Sequence, residues 1–272
     1  MQPLLDLLTG GSDEVTLDRA ALEVARIEHP NLDIAPFIAI LDSYAVELSE
    51  RLAGRAGGSG YVEAANQYLF AELGFKGNSA NYYDPGNSCL NDVLTARTGI
   101  PITLAVVYLE VGRRLAQPVY GIGLPGHFLV QYRSAGFAAF IDVFHQGRLL
   151  TEEECFDLAR QSTGAPLRDD PRMLAPAGNR EMVIRMLQNL RGVYMRRGAY
   201  GKALQTLNLL VAASPQLAEE YKQRGMVHLR MGNPAAARND LDRYLLLAPE
   251  AADRAEIEKR LRSVQNYQAG LN

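Results

Sequence analysis

His127 in GLPGHFLV and Asp142 in FIDVF are the residues of this 272-residue chain best placed to do chemistry together. Each lies in or beside an apolar run of strand character. Their separation suits two neighbouring antiparallel strands with both side chains on one face. A histidine held by a carboxylate is the base half of a nucleophilic acyl-transfer site, because the carboxylate fixes the tautomer while the imidazole takes a proton from a thiol or hydroxyl. A thiol gains most at the first turn of a helix, where free amides and the dipole favour thiolate. Cys89 in NSCLNDVL is expected in such a turn, giving the candidate catalytic set Cys89, His127 and Asp142. The bland readings are a small buried hydrophobe for Cys89 and a core histidine bonded to Asp142 for His127.

The surroundings add a candidate pocket of Asn87, Pro101, Thr103 and Gly126. Gly126 permits close approach of backbone or ligand. Asn87, like Asn91, offers polar support, although turn and cap roles explain both. Thr103 carries a hydroxyl, but nothing nearby would activate it. Cys155 follows the strands and reads as structural. His29 at a helix break, His145 in a glycine-flanked turn and His228 on a later helix are assigned no chemistry. Neither cysteine sits in a metal-ligand pattern, and no metal or cofactor is expected.

The elements that position these residues follow from periodicity. Leu17, Ala20, Ala21, Val24 and Ile27, and then Phe37, Ile38, Leu41, Tyr44, Ala45 and Leu48, mark two amphipathic helices separated by His29-Pro30-Asn31. A third is predicted over 61–73 after a flexible stretch at 54–60. Turn chemistry at Asp84-Pro85-Gly86-Asn87 precedes a helix beginning near Cys89. Another helix starts at or just after Pro101 and closes before Pro118. Residues 119–122, 128–132 and 139–143 read as antiparallel strands, and Thr151 with Glu154 as a capping box. Residues 161–180 are rich in proline and glycine and read as a linker. Beyond them Gly198 and Gly232, Ala203 and Ala237, Leu207 and Leu241, and Pro215 and Pro249 each recur after 34 residues. This period resembles the tetratricopeptide repeat.

The strings NYYDPGNSCLNDVL, RTGIPITLAVVYLEVGRRL, GLPGHFLV and FIDVF together resemble the transglutaminase-like superfamily. The whole chain resembles the bacterial SirB-type branch, which joins such a core to C-terminal tetratricopeptide repeats. The resemblance implies an α+β fold: a helical region over 1–80, a transglutaminase-like (papain-like) core with a small antiparallel sheet over 81–160, the linker, and α-helical repeats over 181–272. It also implies that the nucleophile belongs at Pro101, with Ile100 and Ile102 beside it, and none of these is nucleophilic. A degenerate site, serving a protein-interaction or regulatory scaffold, is therefore expected. The alternative is a cysteine-dependent amide hydrolase or acyltransferase using Cys89, His127 and Asp142.

On that reading the repeats take a protein or peptide partner, with Tyr194, Arg197, Tyr221, Arg224 and His228 facing it. Basic residues of the tail, among them Arg185, Arg191 and Lys222, would favour an acidic peptide. The net charge of −3, from 28 basic and 31 acidic residues, gives no field that argues for nucleic acid or an anionic membrane. No apolar run approaches a spanning helix, and MQPLLDLLTGGSDE lacks the basic start of a secretory signal, so the cytoplasm is the expected compartment. The sequence carries no clear signal of oligomeric state.

Overall fold

The computed structural model describes residues 2–10, 16–55 and 57–269. Its helices are α1 (Gln2–Thr9), α2 (Leu17–Ala25), α3 (Ala35–Arg51), α4 (Gly57–Asn66), α5 (Leu90–Ala96), α6 (Pro101–Arg114), α7 (Glu152–Thr163), α8 (Asn179–Arg196), α9 (Tyr200–Ala213), α10 (Ala218–Arg230), α11 (Pro234–Leu247) and α12 (Arg254–Ala269). Two short strands, β1 (Lys76–Gly77) and β2 (Thr98–Gly99), pair in parallel. Five more, β3 (Val119–Ile122), β4 (Leu129–Ser134), β5 (Phe137–Asp142), β6 (Arg148–Leu150) and β7 (Pro176–Ala177), form an antiparallel sheet in the order β6-β5-β4-β3-β7. The chain divides into one compact unit formed mostly by residues up to Met186 and a second from Leu187 onwards that takes in α1.

The first unit is organised around α6. Its sequence, PITLAVVYLEVG, is apolar nearly all round, and every residue from Pro101 to Gly112 is buried, as a helix without a polar face requires. It is covered by α2, α3 and α5 and by β3 and β4. The acid buried within it, Glu110, is 2% exposed and meets Arg113 at 2.8 Å and Arg114 at 2.7 Å. Arg114 also reaches the buried Asp18 at 2.6 Å and Asp42 at 2.7 Å. Burial pushes Glu110 up. It pushes Asp18 up as well, but the Thr16 and Arg114 hydrogen bonds outweigh it and hold Asp18 below its ordinary value.

Two expectations change. The 54–60 stretch is not simply a flexible break, because α4 begins at Gly57 and continues beyond Asn66 as a π-helical turn, Gln67–Glu72. A side chain at Gly58 would stand 2.4 Å from the Tyr132 ring and 2.8 Å from Phe137, so glycine lets the helix lie close on the sheet. Residues 161–180 are not a free linker. Leu174 and Met173 pack on the apolar cluster of Ile122, Leu129, Phe140 and Cys155, and β7 pairs with β3. Proline and glycine there signalled irregular backbone, which is compatible with docking on the sheet edge.

In the second unit the 34-residue spacing has a direct structural basis. Gly198 and Gly232 follow α8 and α10 with φ of +68° and +74°, the left-handed conformation that ends a helix. Ala203, Leu207, Ala237 and Leu241 are fully buried. A side chain at Gly225 would stand 2.9 Å from Leu241, so glycine allows the crossing of α10 on α11.

Candidate functional site

The β4–β5 register pairs Val130 with Ile141. Continuing it sets Asp142 opposite Leu129, and His127 stands two residues earlier, on the same side of the chain as Leu129. The two side chains meet: His127 Nε2 lies 3.0 Å from Asp142 Oδ1, with the residues 7% and 2% exposed. Asp142 also accepts the backbone N–H groups of Phe144 and His145 at 3.1 and 3.3 Å, capping a short 3-10 turn, Val143–His145. Its other oxygen, Oδ2, lies 2.7 Å from His145 Nδ1. One carboxylate therefore holds two imidazoles, which stack with centroids 6.0 Å apart. Burial raises the Asp142 pKa, but the hydrogen bonds and charges of His127 and His145 outweigh it and leave the carboxyl below its ordinary value. His145 is exposed and opens onto a cavity of about 470 Å³ shared with Arg148, Glu154 and Asp157. Sequence reasoning passed over this second histidine, although its position three residues after Asp142 is the available signal.

The turn before His127 is fixed from two sides. His127 N–H donates to Leu124 O at 3.2 Å, and Arg185 donates to Leu124 O at 2.5 Å and also to His127 O. Arg185 was expected among residues serving a partner; instead it holds this turn, its guanidinium also 5.4 Å from the Phe128 ring. Gly126 has φ of +73°, and a Cβ there would stand 2.8 Å from Ser162 Cβ and 3.1 Å from its carbonyl carbon. Gly126→Ala is therefore expected to destabilise the first unit by about 2–4 kcal/mol, from the left-handed backbone and the contact together. Urea unfolding followed by circular dichroism checks this, and a loss under about 0.5 kcal/mol, the range of an ordinary surface change, would contradict it.

The remaining sequence candidates lie around α5 and α6. Pro101 is buried at the first position of α6, and Ile100 precedes it as N-cap. Thr103 Oγ1 donates to Asn87 O at 2.6 Å and accepts from Ile100 N–H at 3.2 Å, so its hydroxyl ties the start of α6 to the preceding turn. The Asn87 side chain donates to Asn81 O and Tyr82 O and accepts from Asn78. Cys89 is the N-cap of α5 and fully buried. The structure groups it with His29 and Asp92: one ligand atom from each lies within 4.8 Å of the others, as is also true of His127, Asp142 and His145. His29, read from sequence as lying at a helix break, meets Asp92 at 2.7 Å, a partner so far along the chain that no local spacing signals it. Cys155 lies in the sheet core, and burial pushes its thiol up to about 12.

The residues expected to face a partner are largely used internally. Tyr194 is 1% exposed and belongs to the core. Arg224 makes a two-pronged pair with the buried Asp240 at 2.8 and 2.7 Å, and its guanidinium lies 5.6 Å from the Tyr221 ring. Arg191 pairs with Glu220 at 2.6 Å, and Lys222 with Glu219 and Asp253. His228 is half-buried, 3.9 Å from Asp240. Arg197, which follows α8, also takes part in an interaction within the chain. Arg191, Lys222 and Arg224 thus answer carboxylates within the repeats.

Residues 36–188 match the family model described as transglutaminase-like superfamily. The chain belongs to that superfamily. Residues 190–262 match a tetratricopeptide-repeat model, so the α+β fold expected from the sequence, a core with a small antiparallel sheet followed by helical repeats, is the one present. A UPF0162 protein of Xylella fastidiosa (strain 9a5c) is 37% identical over 91% of this chain and 89% of its own length. The F-box only protein 21 of Mus musculus is 30% identical over 63% of this chain and 28% of its own. A crystal structure of menin, 12% identical, covers 95% of this chain and 73% of that one with a TM-score of 0.40. Among the described residues no helix is long and apolar enough to cross a membrane.

Proposed function

We propose that this transglutaminase-like chain, on the resemblance a SirB-type protein, has lost the nucleophile of its core and serves as an interaction or regulatory scaffold whose repeats take a protein partner. The observation that carries this reading is the start of α6. Ile100, Pro101 and Ile102 are all buried there, and the hydroxyl of Thr103 is bonded to Asn87 O. A nucleophile needs a side chain that can lose a proton and reach substrate, and these four offer none. The histidine and carboxylate remain, with Asp142 bonded to two imidazoles at once. Tetratricopeptide helices stack into surfaces suited to a peptide or helix, which gives the scaffold its means of binding.

The alternative is amide hydrolysis or acyl transfer by Cys89, with His127 as base and Asp142 orienting it. The test compares the full chain with Cys89→Ser and His127→Ala, measuring ammonia release from a glutaminyl peptide with and without an added amine. The scaffold reading expects no release above a buffer blank. Release that disappears in both variants, while their circular dichroism is unchanged, would replace it with the enzyme. Native alkylation gives a second expected outcome. Cys89 and Cys155 are both 0% exposed, so both should react slowly at neutral pH, on the timescale of local opening. Rapid modification of Cys89 alone would signal an activated thiolate.

A further inference from the structure

We infer that His29, Cys89 and Asp92 form a binding site for a divalent transition-metal ion of the zinc class. The three come from two elements. Cys89 and Asp92 stand at the N-cap and in the first turn of α5, three residues apart, so both side chains gather at the same end of the helix. His29 arrives from the segment between α2 and α3 and lies 2.7 Å from Asp92 Oδ2. A nitrogen, a sulfur and an oxygen thus converge with every pair within 4.8 Å.

That convergence separates a metal site from a catalytic relay. In a relay the imidazole stands between thiol and carboxylate, one ring nitrogen serving each, which keeps sulfur and carboxylate apart. Here all three donors surround one point. Thiolate, imidazole and carboxylate together are a zinc-type set, and three protein ligands leave a fourth position open.

The surroundings fit an ion. Asn91 donates to Asp92 Oδ1 at 2.8 Å, orienting the carboxylate from behind and leaving Oδ2 to face His29. A second carboxylate is close: a Cβ on Gly86 would stand 3.1 Å from Asp84 Oδ1 and 3.4 Å from Asp92 Oδ2, so the absence of a side chain at Gly86 keeps the space between these acids clear. Asp84 and Asp92 also line a polar cavity of about 420 Å³ with Asn78, Asn81 and Asn87, which gives a hydrated ion a way in. His29 and Asp92 are 39% and 33% exposed at their side chains, whereas Cys89 is fully buried, so the site is closed on the sulfur side and open on the oxygen side. Binding takes Cys89 as thiolate, so its thiol proton goes to solvent, and it replaces the His29–Asp92 hydrogen bond with bonds to the ion, fastening the α2–α3 segment to the start of α5.

The test uses the full chain, stripped with a chelator and titrated with Co²⁺ and then Zn²⁺. One equivalent of cobalt should produce thiolate-to-metal charge-transfer absorption and the visible bands of a tetrahedral ion, and zinc should bleach both. Cys89→Ser should abolish the charge-transfer band. His29→Gln, at a half-exposed position that does not put folding at risk, should weaken cobalt binding at least about tenfold, and Asn91→Ala, which removes the orienting hydrogen bond, by about 10- to 100-fold. His145→Ala should leave the titration unchanged. Absence of the charge-transfer band, its persistence in Cys89→Ser, unchanged affinity in His29→Gln, or loss of binding in His145→Ala would each overturn the assignment. The last would place the metal at the His127–Asp142–His145 group instead.

Discussion

Replacing Arg114 with methionine is expected to destabilise the first compact unit by about 3–5 kcal/mol, the range for leaving buried charges without their partner. Arg114 is 11% exposed at its side chain and reaches three carboxylates: Asp18 at 2.6 Å, Glu110 at 2.7 Å and the exposed Asp42 at 2.7 Å. Asp18 and Glu110 are each 2% exposed, so removing the guanidinium leaves two desolvated anions with Arg113 as their remaining cation. Methionine preserves much of the arginine stem's packing, so the loss reports charge rather than volume. The pH dependence has a fixed sign. Without Arg114 the Asp18 carboxyl loses a partner that holds its pKa down and Glu110, already raised by burial, rises further, so both acids titrate higher in the folded variant than in the parent and ionising them costs the variant more stability as pH rises. The deficit against the parent chain should therefore be largest near neutrality and shrink toward pH 4. Denaturant unfolding followed by circular dichroism at both pH values measures it. Arg114→Met combined with Asp18→Asn should recover part of the loss, since one stranded charge is then absent. A deficit below about 1 kcal/mol at neutral pH would mean that the cluster behaves like an exposed ion pair.

How far the fold could be read from sequence depended on whether the governing interaction was local. The α6 helix was legible because PITLAVVYLEVG is apolar nearly all round and begins with proline, both properties of one short string. The capping box at Thr151 and Glu154 was legible for the same reason, and both of its hydrogen bonds are present. The repeat glycines were legible because a left-handed helix end recurs at a fixed period. By contrast, the start of α4 turns on Gly58 lying against Tyr132 and Phe137, more than seventy residues away, and glycine alone reads as a break. The site divides in the same way. The pairing of His127 with Asp142 follows from strand register and was readable. The approach of His29 to Asp92 crosses 63 positions, from the segment after α2 to the first turn of α5, and could not have been found without the fold. The tail cations were visible as charges, but whether Arg224 faces a partner or Asp240 is decided by how α10 crosses α11.

Asp142→Ala should be the other substitution with a large effect, costing about 2–4 kcal/mol at neutral pH by taking a shared acceptor from the buried His127 and from three part-buried donors. The carboxylate accepts from the N–H groups of Phe144 and His145 and holds both imidazoles, so its loss loosens the 3-10 turn and frees the His127 ring. The effect carries a pH signature set by the lowered Asp142 pKa. A carboxyl whose folded value lies below its unfolded value of about 3.9 contributes its full stability above that unfolded value. The contribution falls away as pH drops through the folded value. The gap between parent and variant should thus still be present at about pH 5 and close in stronger acid. Asp142→Asn separates charge from shape: one acceptor oxygen remains for the turn, while the charge that holds two imidazoles is gone. If the cluster's chief role is to hold its histidines in place, the asparagine variant should recover the 3-10 turn but not the His127 geometry. NMR of the imidazole resonances reads the two apart: His127 shifts that match the parent in Asp142→Asn would mean that the β4–β5 packing, rather than the carboxylate, sets the ring.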